Sequence, residues 1–355
     1  MSDLYVAAGG GGDPIGTLIA ARTITLDPAP PLIATYAWER PEVDPTPRPL
    51  GRRDFAGLAP AAGGAAAFTP ATRARLPAGS TMPGLARDLP ARLLLLDPAQ
   101  GLSALSRQVE SMAEAAGGRI RIVDIGGDIL THGNEPTLCS PFGDAYTLAA
   151  CHLTGVPTTV YVAGPGLDGE IGEETLLERL AGRHHPLTPG RGAAAAAAPA
   201  LAWHPSEASA LWAAAVHGAR GAVRTVNGTI HLTEVSPLLY HLPLHEAIGH
   251  NPVAQALLDE RPATLDEAAD LSHRITGIHG LEHERSRTPR HDPPAGGTAC
   301  LDVDEVMKTL REAADGADHV TLRYAARALG LTWTDIPALR DVLGTGTGTP
   351  LLQLT

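Results

Sequence analysis

The chain has 355 residues, 44% of them hydrophobic and 19% charged, enough to bury one large core or two modest ones. Its formal charge of −12 disfavours nucleic acid and anionic membrane surfaces as partners, since both call for a basic face. No apolar run approaches the roughly 18 residues needed to cross a bilayer, and the opening MSDLYVAAGGGGD lacks the basic start of a signal peptide. A cytoplasmic protein is therefore expected. Cys139, Cys151 and Cys300 have neither zinc-ligand nor disulfide-framework spacing. Lys308 is the only lysine among 27 basic residues. A Schiff-base, Walker-type or kinase lysine would have to be Lys308, which lies in the helical-looking DVDEVMKTLREAAD, far from any Gly-rich loop. Pyridoxal phosphate, P-loop and kinase chemistry are accordingly not expected.

In chain order, short apolar runs end in Gly/Asp clusters and lead into helical segments. LYVAAGGGGD precedes PIGTLIAARTITL, where Pro14 suits a first helical turn. PLIATYAWER is a β-rich run, and residues 56–90 read as loops and short strands. LPARLLLLDP is a third strand candidate, followed by the amphipathic helix LSALSRQVESMAEAAGG. RIRIVDIGGDIL is a strand with a sharp glycine turn, SPFGDAYTLAACHLTG a helix with a Ser-Pro start, and VPTTVYVAGPGLDGEIGEETLLERL repeats strand, loop and helix. This alternation predicts an α/β fold: a Rossmann-like, mainly parallel sheet flanked by helices. After the Ala-rich segment at 191–200, TVNGTIHLTEV reads as a strand or hairpin and NPVAQALLDERPATLDEAADLSHRITG as two helices. The expected organisation is a ligand-binding α/β domain over 1–285, a linker at 286–297, and a small helical segment over 298–355.

Ligands of open parallel sheets sit outside the carboxyl ends of the strands. Four proposed strands end there in glycine or acid. Gly9, Gly10, Gly11 and Gly12 let the backbone approach a ligand, and the amides entering a helix can cradle an anion beside Asp13. The run is not in G-x-G-x-x-G register and no acid follows about 20 residues later, so a standard NAD site is not expected. Trp38, Glu39 and Arg40, with Asp44 after them, can stack, hydrogen-bond and pair charge, although a surface ion pair explains them equally. Asp124, Asp128 and Glu135, with Ser140 and Asp144 opening the next helix, could converge on a divalent metal, ribose hydroxyls or an amine. Asp144 also suits a first-turn dipole position. Asp168 and Glu170 are general-base candidates if neighbouring acids raise their pKa, or else members of a solvated turn. Asp128, Glu170 and Asp13 are the catalytic candidates; the other residues named are ligand-binding candidates, and the metal is left open.

His245-Glu246-Ala247-Ile248-Gly249-His250 resembles the H-E-x-x-G-H zinc motif of the dipeptidyl-peptidase III family over six residues. Histidines five apart lie about 140° apart on a regular helix, so a polar loop is the preferred reading over a zinc peptidase. His184, His185, His279 and His283 are expected to be exposed. Ser140 lacks a nucleophile elbow, and Cys139 reads as a small buried residue rather than a nucleophile.

Taken together, GGGGD, WER followed by Asp44-Pro45, the turn from Asp124 to Asp128 with Glu135, Ser140-Pro141 with Asp144, and Gly166 to Glu170 resemble a family of prokaryotic proteins known only as a domain of unknown function. The resemblance runs from residue 4 to about 285 and includes Asn251-Pro252. It implies a Rossmann-like fold and supplies no activity. The residues themselves favour a hydrolase or lyase acting on a small polar, nucleotide- or amino-acid-like metabolite. The alternative is a non-catalytic sensor or scaffold using the same cleft. The small-molecule ligand is the expected partner, and the oligomeric state is left open.

Overall fold

Strands form where four- to six-residue runs of Leu, Ile, Val and Ala stop at glycine or acid. The computed structural model describes residues 3–25, 27–46, 48–181, 185–282, 302–346 and 348–354. Five strands, β1 (Leu4–Ala7), β2 (Leu32–Tyr36), β3 (Arg92–Leu96), β4 (Ile120–Ile125) and β5 (Thr158–Ala163), pair in parallel in the order β3-β2-β1-β4-β5. Their register sets Val6 of β1 opposite Ala34 on one side and Ile122 on the other. β6 (Leu239–Pro243) adds antiparallel to β5, and the two-residue strands Ala66–Ala67 and Ala59–Pro60 close the far edge, making eight strands. The mainly parallel α/β sheet expected from the sequence is thus present.

Strand side chains alternate between faces, and both faces are apolar here. Leu4, Val6, Ala34, Ile122, Val160 and Val162 pack against one helical layer, which includes α2 (Leu102–Ala116) and α3 (Pro141–Leu153). Tyr5, Ala7, Ile33, Val123, Ile125 and Tyr161 pack against the other, built on α1 (Asp13–Ile24) and the Ala-rich α5 (Glu207–His217). Between α3 and α5 the chain carries α4 (Glu173–Leu180). Beyond β6 it forms α6 (Leu244–His250), α7 (Pro252–Glu260) and α8 (Leu265–Thr276). Starts are locally coded: Pro14 and Pro141 occupy first turns, and Thr264 with Glu267 forms a reciprocal cap on α8. The chain moves outward from β1 to β3 and then returns to β4 on the opposite side of β1. The loops leaving β1 and β4 therefore diverge, and a crevice opens between them.

Residues 302–354 differ from the helical segment expected. Helices Val303–Ala313, Leu322–Ala328 and Ile336–Leu343 are present, but His319–Thr321 and Leu351–Gln353 are strands. They join the hairpin Gly221–Thr225/Gly228–Leu232 in a four-stranded sheet, in which His319–Thr321 runs parallel to Gly221–Thr225. Three-residue strands are too short to show a period in sequence. Val320 and Thr321 are β-branched and finish a strand, and the Thr321 hydroxyl then accepts from the Tyr324 amide to begin the helix. The 286–297 linker lies outside the described residues.

Asn251 ties the helical layer to the crevice. It is fully buried, its side-chain oxygen accepts from the Ala254 amide, and its amide nitrogen donates to the Ile129 carbonyl beside Asp128. Asn251→Ala leaves both backbone groups unpaired and should cost about 2–3 kcal/mol. Urea unfolding should show a lower midpoint at unchanged slope; a change under about 0.5 kcal/mol would contradict the assignment.

Candidate functional site

The Gly9–Gly12 run joins β1 to α1 under tight constraint. A Cβ on Gly10 would lie 2.6 Å from the Trp38 carbonyl oxygen, and one on Gly12 2.2 Å from Ser206 Cβ. Gly11 adopts φ +58°, which a side chain tolerates poorly. The Gly9 amide donates to the Asp13 carboxylate in the first turn of α1. Burial pushes that carboxyl up to about 7, opposed by the Gly9 amide and by the Arg40 charge.

At the end of β2, Trp38 meets Phe142 edge-on with ring centroids 6.0 Å apart. Glu39 is buried and accepts from the Thr81 amide (2.6 Å), the Thr81 hydroxyl (2.7 Å) and the Ser80 hydroxyl (3.2 Å). Burial raises its pKa, while these donors pull it down. Thr81 is also 3.1 Å from His204 Nε2, and His204 Nδ1 accepts from the Ser206 amide. With Nδ1 accepting, Nε2 bears the proton and donates to Thr81, which donates in turn to Glu39. Burial drives the His204 pKa down to about 3, so the ring is neutral.

The acidic floor comes from β4, β5 and α3. Asp124 is the penultimate residue of β4, and Asp128 follows Gly126 (φ +127°) and Gly127 (φ +112°), a turn that re-aims the chain into the crevice. Asp144 enters from the first turn of α3. One oxygen from each of Asp124, Asp128 and Asp144 lies within 4.8 Å of the others. Asp124 Oδ2 and Asp144 Oδ1 are buried without a hydrogen-bond partner. Asp168 hydrogen-bonds Asp128, and its own Oδ2 is also buried and unpartnered. Burial, then mutual repulsion, pushes Asp124, Asp128 and Asp144 well above the usual carboxylate range; Asp168 rises to about 7 by burial and the charge of Glu170.

One cavity of about 190 Å³ collects these loops. Gly9, Gly10, Gly11, Gly12, Asp13, Trp38, Glu39, Arg40, Asp124, Asp128, Ser140, Asp144, Asp168 and Glu170 all line it. Glu135 is not among the lining residues. It accepts from Thr131, His132 and Gly133 and pairs with Arg179 at 2.7 Å. Burial alone would raise its pKa, but these donors lower it to about 2. These bonds pin the 131–135 turn outside the cavity lining. Glu170 lines the cavity, and its carboxylate is already hydrogen-bonded. It accepts from the Cys139 amide (2.8 Å), the Ser140 amide (2.9 Å) and the Ser140 hydroxyl (2.5 Å), and so caps the start of α3. Asp44 likewise shapes a turn by accepting from Thr46 and Gly79.

The zinc-like hexapeptide lies on a helix, α6, and not in a loop as expected, with His250 Nδ1 3.1 Å from His132 Nε2. Among the described residues, the only cluster of three or more metal-ligating side chains is the aspartate one. His279 is partly buried beside Asp270 at 3.3 Å, contrary to the exposure expected, whereas His185 is exposed; His184, His283 and Cys300 lie outside the described residues.

Sequence reasoning missed the residues that close the cavity from the C-terminal side. Arg323 pairs with Glu42 at 2.8 Å and Glu207 at 3.5 Å, and all three line the cavity with His204, Ser206 and Asn227. The Trp333 indole donates to the Glu42 carbonyl, fastening the same junction. His204-Pro205-Ser206-Glu207 opens α5 and was legible as a helix start; Arg323 carried no signal beyond charge.

An acid whose folded pKa lies above its unfolded value holds its proton more tightly when folded, so it lowers stability as pH climbs from about 4 to about 7. His204 acts in the opposite sense below about 6.5, so the clean comparison is between variant and wild type. Asp13→Asn should gain melting temperature over wild type at pH 8 by roughly 2 °C or more beyond any gain at pH 5. A difference that is flat with pH, or larger at pH 5, would contradict the environment assigned to Asp13.

The chain matches a protein family of unknown function, DUF1152, over residues 4–288. No curated protein and no solved structure matches it. The sheet, the crevice and all the acids of its floor lie inside the matched span, while Arg323 lies beyond it. With most of its length covered, the chain belongs to the DUF1152 family of proteins of unknown function.

Proposed function

We propose that the protein is an enzyme of the hydrolase or lyase type acting on a small polar metabolite bound in this cleft. The observation that carries the reading is the meeting of two unlike surfaces in one cavity. Its lining combines the Gly9–Gly12 backbone, the start of α1 and Arg40 with the clustered carboxylates of Asp124, Asp128 and Asp144. The first surface suits an oxyanion such as a phosphate or carboxylate, because amides at a helix start carry partial positive charge. The second suits hydroxyl and amino groups or a cation, as in nucleotide-like and amino-acid-like molecules. Asp13 sits between them. Its position at the base of the glycine run supports a role in moving a proton to or from the bound molecule.

A binding protein has no use for a proton-transferring acid, and this separates the enzyme from a sensor. Nucleosides, phosphorylated sugars and amino-acid derivatives should be screened by thermal shift, with mass spectrometry of each stabilising compound after incubation. An enzyme converts at least one of them. Asp13→Asn should retain the thermal shift while its turnover falls by roughly 100-fold or more. A ligand that binds wild type and Asp13→Asn equally and is recovered unchanged from both would establish the sensor reading instead.

A further inference from the structure

We infer that Asp124, Asp128 and Asp144 form a binding site for one hard divalent cation of the Mg2+/Mn2+ class, which bridges the acidic floor to the oxyanion of the bound metabolite. The inference deepens the enzyme reading of the cleft, but its evidence and its test are independent of any substrate.

Three features carry it. The first is distance. The three oxygens fall within 4.8 Å of one another, and a cation about 2.0–2.5 Å from each fits inside such a triangle. The second is unspent bonding capacity. Asp124, Asp128 and Asp144 are 2%, 7% and 5% exposed, and Asp124 Oδ2 and Asp144 Oδ1 have no hydrogen-bond partner. Buried polar oxygens ordinarily find partners, so two orphans on adjacent carboxylates mark a place where a ligand attaches. Of the other buried acids, Glu39 has three donors and Glu170 has three, while Asp44 keeps one unpartnered oxygen outside the cluster and Asp168 one beside it. The third is electrostatics. Besides burial, the groups pushing Asp128 upward are all carboxylates, namely Asp144, Glu170, Asp124 and Asp168. Buried charges of one sign are kept together by pairing or by a metal.

The scaffold also fits this use. Asp124 is held by its strand, Asp144 by the first turn of α3, and Asp128 by the two positive-φ glycines and by Asn251, which fastens the Ile129 carbonyl. Ligands on regular elements keep their geometry when the cation leaves. The all-oxygen donor set selects hard cations; zinc and copper sites favour imidazole or thiolate. Asp168, beside Asp128 with a free oxygen, then faces a cation-held ligand from the β5 side.

The test is an electron paramagnetic resonance titration of chelator-stripped, full-length protein with Mn2+ alone. One Mn2+ should bind per chain at concentrations up to about 1 mM and be displaced by Mg2+. Asp124→Asn and Asp144→Asn should each weaken binding by at least about tenfold, while the exposed-surface control Asp304→Asn leaves it unchanged. Both variants relieve charge crowding, so their melting temperatures should equal or exceed wild type in chelator. Binding well below one Mn2+ per chain overturns the inference, and so does stoichiometric binding that neither cleft variant weakens. If one cleft variant does not fold, the other locates the site. A bound Mn2+ with no turnover of any screened compound would leave the cation site standing and count against the enzyme reading alone.

Discussion

Like-charged carboxylates repel one another strongly where water is scarce, and the carboxyl edge of this sheet gathers four of them. Asp124, Asp128, Asp144 and Asp168 arrive from β4, from the turn after it, from α3 and from the loop after β5. Nothing in local propensity asks for that convergence. It follows from the strand order, which reverses between β1 and β4 and aims the following loops into one crevice. Stability alone would favour neutral side chains there, so the surrounding structure must hold the acids in place against their own repulsion.

The hold is visible in the polar groups around the floor. Glu170 caps α3 and fixes the turn that presents Asp144. Glu135 with Arg179 and the buried Asn251 immobilise the segment that follows Asp128. On the opposite wall, His204, Thr81 and Glu39 form a neutral-to-acid relay that joins the 204–207 segment to the end of β2. These groups look like catalytic candidates in sequence because they are acids and histidines near glycines. Their hydrogen bonds are spent on backbone and hydroxyls, whereas Asp124, although the Ile129 and Gly127 amides donate to it, and Asp144 each keep one buried oxygen without a partner. That contrast, more than the number of acids, separates scaffold from site.

The repeated strand–glycine–helix pattern was legible because β1, β2, β4 and β5 are mainly apolar on both faces and stop at sharp turns. Gly126-Gly127 before Asp128 and Ser140-Pro141 before Asp144 are local signals with local causes. The division of labour among the acids was not legible. Glu170 and Asp168 are two residues apart and both line the cavity, yet only Glu170 caps a helix, a difference set by α3 arriving from elsewhere in the chain. The edge strands Ala59–Pro60 and Ala66–Ala67, and the strands His319–Thr321 and Leu351–Gln353, are too short to show a period. For the same reason Arg323 could not be placed at the cleft: it opens the helix after His319–Thr321, where it pairs with Glu42 and Glu207.

The central claim is that the aspartates of the crevice act together on one bound cation at the reversal point of the sheet. Anomalous diffraction at the manganese edge, from crystals of the full chain grown with Mn2+, addresses it most directly. The expected result is a single strong peak about 2.0–2.5 Å from oxygens of Asp124, Asp128 and Asp144, on the side facing the Gly9–Gly12 amides. A floor without a peak, or a peak held elsewhere while these carboxylates hydrogen-bond only to one another, would contradict the claim.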